Sequence, residues 1–339
     1  MRGSRSAASS RSSGSSSRSC STAAPLLALC AACGSKSHEP RTPPLASVLA
    51  AMLDGADRAS TPWRCAAVDT PALLPEELKA GDHAWNVASA TLTRSDEGGS
   101  EIGVIADAAG SDPRTIAALG RLRAAFDDAK VDLVISLGGM GTTAAELEAT
   151  LGTFADRAPW PLVALAGDLE SESAQVAALK TLRTRGDIVL DARQVRTIKL
   201  PGATIFTVPG AGAAERLASP TEGCAWTAAD VAATYAASTA QPGVRIVATA
   251  EAPRTTVDGE ASGELALAPS KAQPVELVLH GPVEPAPTAA RSGGRDGAGI
   301  LLSPGTADAT PRLPAAHRPS AGVLTLRQGA WAWRPIVED

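Results

Sequence analysis

Apolar runs of strand length that alternate with helical patterns constrain this chain more than any other feature. Val131–Leu137, interrupted only by Asp132 and Ser136, and Pro161–Ala166 are apolar runs, as expected of strands buried on both faces. Asp112 with Pro113 opens a helix before the first of them, and Ile116, Leu119, Leu122 and Phe126 recur at spacings of three or four. Helices are also expected over Thr143–Leu151 and Ser171–Arg185. The second half is strand-rich, with Ile188–Leu190, Thr197–Leu200, Thr204–Val208, Arg245–Thr249 and Val275–Leu279. It closes on a hairpin of Val323–Arg327 and Ala330–Arg334 about Gln328-Gly329. Upstream, a hairpin is expected of Trp85–Thr93 with Glu101–Ala106, a short helix over Leu45–Ala56, and a polar lead-in over Glu76–Asp82. Residues 252–273 read as a surface excursion and 282–321, rich in Pro, Gly and Ala, as mostly loop. The expected fold is α/β: two packed mixed β-sheets flanked by helices, a four-layer αββα sandwich in one domain.

The first 32 residues stand apart. Arg2, Arg5, Arg11 and Arg18 punctuate a Ser-rich stretch without acidic residues, and the apolar run Ala23–Ala32 follows. This is the layout of an export signal, too short to remain as a membrane-spanning helix. Ala31-Ala32-Cys33 resembles a bacterial lipobox, with Cys30 where Leu is usual, and implies lipidation at Cys33; the plain alternative is a soluble secreted protein cut near Ala32. Residues 1–32 are thus read as a lipoprotein signal peptide, 33–44 as anchor and tether, and 45–339 as the domain. Removing the four Arg takes the formal charge from −5 to −9, and no clustered basic excess points to nucleic acid. Of five cysteines, only Cys65 and Cys224 fall in the body. Outside the cytoplasm such a pair is expected to form a disulfide, the alternative being two separate buried thiols.

Five strand-to-loop junctions then fall in a telling order: Ile105-Ala106-Asp107-Ala108-Ala109, Leu137-Gly138-Gly139-Met140-Gly141-Thr142, Ala166-Gly167-Asp168-Leu169-Glu170, Ala248-Thr249-Ala250-Glu251, and His280-Gly281-Pro282-Val283-Glu284. With the Ser303-Pro304-Gly305 turn and the terminal hairpin, they resemble the calcineurin-like metallophosphoesterases, over roughly residues 85–335. That family carries Asp-x-His, Gly-Asp-x-x-Asp, Gly-Asn-His-Asp/Glu, a lone His, and Gly-His-x-His at these places, around two metal ions. Here Asp107 is kept, but Ala109, Gly139, Thr142, Leu169, Ala250 and Pro282 stand at ligand or catalytic positions. The chain has four His, and none of His38, His83, His280 and His317 falls on a ligand position. A two-metal site needs His and carboxylate ligands on both ions and an Asp shared between them. The resemblance therefore implies a scaffold without the catalytic centre: no catalytic residue is assigned and no cofactor is expected.

What is left is a set of carboxylates, Asp107, Asp168, Glu284 and, less directly, Glu251. Oxygen donors alone suit one hard divalent cation; the competing reading is that Asp107 and Asp168 cap loops or helix starts. The expected function is a catalytically inactive, metallophosphoesterase-like envelope lipoprotein, anchored to the membrane by its lipid and binding an envelope protein or small ligand. Two alternatives stand beside it. One is an atypical hydrolase with a carboxylate-rich site. The other is nucleotide binding through Gly139-Met140-Gly141-Thr142-Thr143-Ala144, which fits G-x-G-x-x-A after a strand and before a helix.

Overall fold

The three expected helix starts are all capped by the residue the sequence offers. In the computed structural model Asp112 accepts from the Arg114 N–H and opens α1 (Pro113–Asp128). Thr143 and Glu146 form a reciprocal capping box at α2 (Ala144–Ala155), and Ser171 caps α3 (Glu172–Thr184). Each cap satisfies an N–H that the first helical turn leaves without a partner. The structure describes residues 63–65, 75–212, 214–252, 277–291, 300–310, 317–327 and 330–338, all of them within Ala50–Asp339. The export signal, Cys33, the tether, the Leu45–Ala56 helix and nearly all of the 252–273 excursion lie outside them.

Seventeen strands are described, namely β1 (Trp63–Arg64), β2 (Glu76–Ala80), β3 (His83–Ala88), β4 (Thr91–Arg94), β5 (Ser100–Ile105), β6 (Leu133–Ser136), β7 (Leu162–Ala164), β8 (Val189–Asp191), β9 (Thr197–Leu200), β10 (Ala203–Val208), β11 (Cys224–Ala225), β12 (Val244–Thr249), β13 (Leu277–His280), β14 (Thr288–Arg291), β15 (Ile300–Ser303), β16 (Ser320–Arg327) and β17 (Ala330–Val337). They form two large mixed sheets. One has the order β17-β16-β5-β6-β7-β8, the other β14-β15-β13-β12-β10-β9-β4-β3-β2, and β1 pairs only with β11. Strands β5 to β8 run parallel, as do β10, β12, β13 and β15.

The sheets face one another across a shared apolar layer. Ile102, Val104, Leu133 and Ile135 of the smaller sheet meet Leu92, Ile198, Ile205, Ile246 and Leu279 of the larger. On β6 the alternation is plain: Leu133 and Ile135 point inward, while Val134 joins Phe126 of α1, Leu151 of α2 and Leu182 of α3 on the outer face. Gly103 permits this packing, since a Cβ there would lie 2.6 Å from the Phe126 ring. The outer face of the larger sheet is covered by a helix absent from the sequence expectations, α4 (Ala228–Thr239). Val231 and Tyr235 of that helix pack on Val208, Val247 and Val278. The result is helices, sheet, sheet, helix: the expected four layers.

Three segments differ from expectation. Trp85–Thr93 is not one strand, because Ser89 and Ala90 both take positive φ (54° and 57°) and turn β3 back on β4. The expected partner segment, β5, lies in the other sheet, so Ser95–Gly99 crosses between sheets instead of closing a hairpin. The lead-in over Glu76–Asp82 supplies β2, a further strand on β3. The 282–321 segment is also less loop-like than its composition implies, since β14 and β15 extend the larger sheet. Pairing with an existing sheet edge overrides local Pro and Gly content there.

Candidate functional site

Parallel strands deliver their C-terminal ends to one edge, where α/β proteins build sites. Asp107 follows β5, Gly138 and Gly139 follow β6, and Gly167 and Asp168 follow β7. From the other sheet, Gly210 follows β10, Ala250 and Glu251 follow β12, and Gly281 and Pro282 follow β13. Together they line a cleft of about 280 Å³. All five junctions singled out in the sequence are among them. The surviving glycines serve backbone packing: Gly138 has φ +91°, and a Cβ on it would sit 2.6 Å from the Gly167 nitrogen.

The cleft wall is tied together by its own polar groups. Glu170 is buried, and its two carboxylate oxygens accept from the Met140 N–H at 2.6 Å and the Gly167 N–H at 2.7 Å. It thereby locks the second junction to the third, and burial pushes its pKa up to about 7 against those hydrogen bonds. The Asp107 N–H donates to the Gly138 carbonyl at 2.9 Å. The Ser303-Pro304-Gly305 turn clamps the first junction from outside. Thr306 Oγ1 donates to the Asp107 carbonyl at 2.5 Å, and the Asp308 N–H donates to the same oxygen at 3.0 Å.

A cation already stands among the carboxylates. Arg216, from the loop after β10, pairs through Nη1 with Glu251 Oε1, and its Nη2 lies 4.0 Å from Asp168 Oδ2. The second Glu251 oxygen accepts from the Gly212 N–H at 2.7 Å. The Ala218 N–H donates to the Asp168 carbonyl at 2.8 Å. The Glu251 side chain is 3% exposed, against 46% for Arg216 and 39% for Asp168. The loop from Gly210 to Ala218 is thus fixed to both the third and the fourth junctions.

A dimetal centre does not fit these residues. Ala109, Gly139, Leu169, Ala250 and Pro282 offer no ligating side chain, and the Thr142 hydroxyl donates to Glu146 Oε2 at 2.9 Å. His280 is buried with Nδ1 on the Gly281 carbonyl at 2.7 Å, and burial lowers its pKa. His83 pairs with Asp96 at the start of β3, and His317 Nε2 meets the Asp308 carbonyl. Among the described residues no group of three or more His, Cys, Asp or Glu is placed to hold a metal.

The carboxylate set read from sequence needs correction. Asp107 and Asp168 do reach the cleft, and Glu251 joins them. Glu284 does not: Val283 is the last residue of this segment to line the cleft, and Glu284 is exposed and lines a separate depression with Pro285, His317 and Arg318. Helix capping falls to Asp112, Thr143 and Ser171, not to Asp107 or Asp168. The G-x-G-x-x-A loop is not laid out as a phosphate cradle either. Its Met140 N–H goes to Glu170, and the Thr142 and Thr143 N–H groups go to Glu146 Oε2 at 2.9 and 3.0 Å. Carboxylates of the chain itself fill the anion positions at that helix start.

Sequence reasoning missed Arg216 and the junction that carries it. The available signal was Val208-Pro209-Gly210-Ala211-Gly212, a further apolar strand ending in glycines. Behind this loop Cys65 and Cys224 form a disulfide with Cα atoms 5.4 Å apart, buried with Ala166 of the third junction.

The sequence matches no family model and no curated protein. Solved structures similar to it include TT1561 of Thermus thermophilus, at 13% identity and TM-score 0.48, over 69% of this chain and 98% of that one. A dimetal phosphatase from Danio rerio follows at 11% and 0.47, over 72% and 100%. The purple acid phosphatase PPD1 of yellow lupin stands at 9% and 0.46, over 76% and 58%.

Proposed function

We propose that this chain is a degenerate calcineurin-like phosphoesterase that has become a non-catalytic binding or interaction module of the cell envelope. The observation that carries the reading is the Arg216–Glu251 pair, with Asp168 close by. A guanidinium fixed among the carboxylates opposes a second positive charge at close range. The strand-end order supports the ancestry, and the replaced ligand positions support the loss of chemistry. Two metal ions act as a unit in phosphoryl transfer, clamping both the attacking and the leaving oxygen. One or two scattered carboxylates do not reproduce that clamp.

The purified protein is expected to show no phosphomonoesterase or phosphodiesterase turnover above background with Mn²⁺, Zn²⁺, Fe²⁺ or Mg²⁺. Asp107→Ala is the control that separates intrinsic activity from contamination. Metal-dependent hydrolysis abolished by that substitution would favour the atypical hydrolase instead.

The envelope location rests on the N-terminal sequence alone. The mature protein is read as held to the membrane through a lipid on Cys33, with an envelope protein or a small ligand as partner. Cys33→Ser is expected to leave the membrane fraction or to remain uncleaved. A variant that matures and fractionates like the wild type would rule out the anchor.

A further inference from the structure

We infer that His83 is a proton-operated latch on the Ser95–Gly99 crossing between the two sheets, closed when its imidazole is charged and open when it is neutral. The latch lies at the end of β5 away from Asp107. His83 opens β3 of the larger sheet, Asp96 sits on the crossing, and Asp132 precedes β6 of the smaller sheet. Nδ1 of His83 is 3.0 Å from Asp96 Oδ2, and Nε2 is 4.0 Å from Asp132 Oδ2. Both ring nitrogens therefore face carboxylates, and these come from different parts of the fold. A neutral imidazole has one N–H, so one of its nitrogens presents a lone pair to an anion. A protonated ring presents N–H groups to both.

The fixed cation of the group is Arg94, at the end of β4, whose side chain is fully buried. Its Nη1 donates to Asp132 Oδ2 at 2.5 Å, its Nη2 donates to the Gly99 carbonyl at 2.8 Å, and its Nε lies 3.4 Å from Asp96 Oδ2. One guanidinium thus serves two carboxylates, and the group is one positive charge short. Burial raises the Asp132 pKa to about 6, against the pull of Arg94, the Glu101 N–H and His83. The Glu101 carboxylate adds to that rise but is itself engaged by Thr325 and Arg327. Lys79 and Asp82, on the hairpin that carries His83, are exposed. A proton on Asp132 would end its ion pair with Arg94. A proton on His83 keeps that pair and sets a second cation between the two carboxylates. Imidazole changes charge between about pH 5 and 8. A cationic contact made only in the folded state is present at the acid end of that window and is lost as the pH rises.

The test is amide hydrogen exchange of the full chain across that window, at about pH 5.5 and about pH 8. Rates are corrected for the intrinsic pH dependence of exchange, and residues 95–99 are followed against β7 and β8 as internal reference. Protection of the crossing is expected to fall about tenfold from acid to base in the wild type, the size of one charge-assisted contact. It should change far less in His83→Gln. Asp96→Asn leaves the ring but neutralises its nearer partner, and should lose most of the same step. Ring-nitrogen NMR of the wild type should show a charged His83 at the acid pH, its signal assigned by its loss in His83→Gln. An equal step in wild type and His83→Gln would belong to Asp132 and overturn the latch. So would no step in the wild type, or a His83 ring that is neutral at the acid pH. If His83→Gln does not fold, Asp96→Asn decides: loss of the step supports the latch, and a step kept in full overturns it.

Discussion

Replacing both Cys65 and Cys224 by serine is expected to lower the unfolding free energy by about 5 kcal/mol, the entropic value for a loop of this length. The two residues are 159 positions apart, so the bond removes a large set of conformations from the unfolded chain. A net stability of ~5–15 kcal/mol is normal for a domain, and a loss of this size would leave a small margin. The consequence is also local. Cys224 lies on β11, which pairs with β1, and its carbonyl accepts from the Ala211 N–H at 3.0 Å. The Gly210 N–H in turn donates to the Ala166 carbonyl at 2.7 Å. The loop carrying Arg216 is therefore braced from behind by the disulfide and from the side by the third junction. Urea unfolding of the double variant, beside wild type with and without reductant, measures the effect. Matching midpoints for all three would show that the bond contributes nothing.

Much of the core was legible because its signals are local. Asp112-Pro113, Thr143 with Glu146, and Ser171 announce their helices, and Val131–Leu137 announces its strand, since capping and burial on both faces leave clear marks in composition. The turn at Ser89-Ala90 left none, because neither residue favours positive φ. Helix α4 was missed for a related reason: Ala-rich segments such as Ala228–Thr239 carry few large apolar residues to set a period. At the site, the converging strand ends and the reach of Asp107 and Asp168 were readable from the order of junctions. Arg216 was not, because its partners lie 35 and 48 positions away and only the closed fold brings them together. Glu284 failed in the opposite way. It sat at the expected place in a motif, but it is exposed and lines a separate depression, one residue beyond the last to line the cleft.

Glu170→Gln is expected to destabilise the protein by roughly 1–3 kcal/mol at pH 5 and to flatten its stability against pH. The two Glu170 oxygens each accept a backbone N–H. An amide supplies one oxygen, so its NH₂ group must face the Met140 or the Gly167 N–H, and that donor is left unpaired in a buried wall. The pH dependence follows from burial. The folded-state pKa is raised from 4.5 to about 7, so the native protein holds this proton more tightly than the unfolded chain. The stabilising contribution is fully present below pH 4.5 and is lost as the pH rises through about 7. A shift of this size is worth on the order of 3 kcal/mol across the window. His280 works in the opposite direction, because its lowered pKa makes stability fall as the pH drops through the usual His range. Asp132, raised to about 6 by burial, adds to the Glu170 trend at lower pH. Both are unchanged in Glu170→Gln, so the difference between the two proteins isolates Glu170. That difference should be largest near pH 5 and should shrink, or reverse, by pH 8. Chemical unfolding across this range is the measurement, and parallel profiles would mean that Glu170 remains ionised throughout.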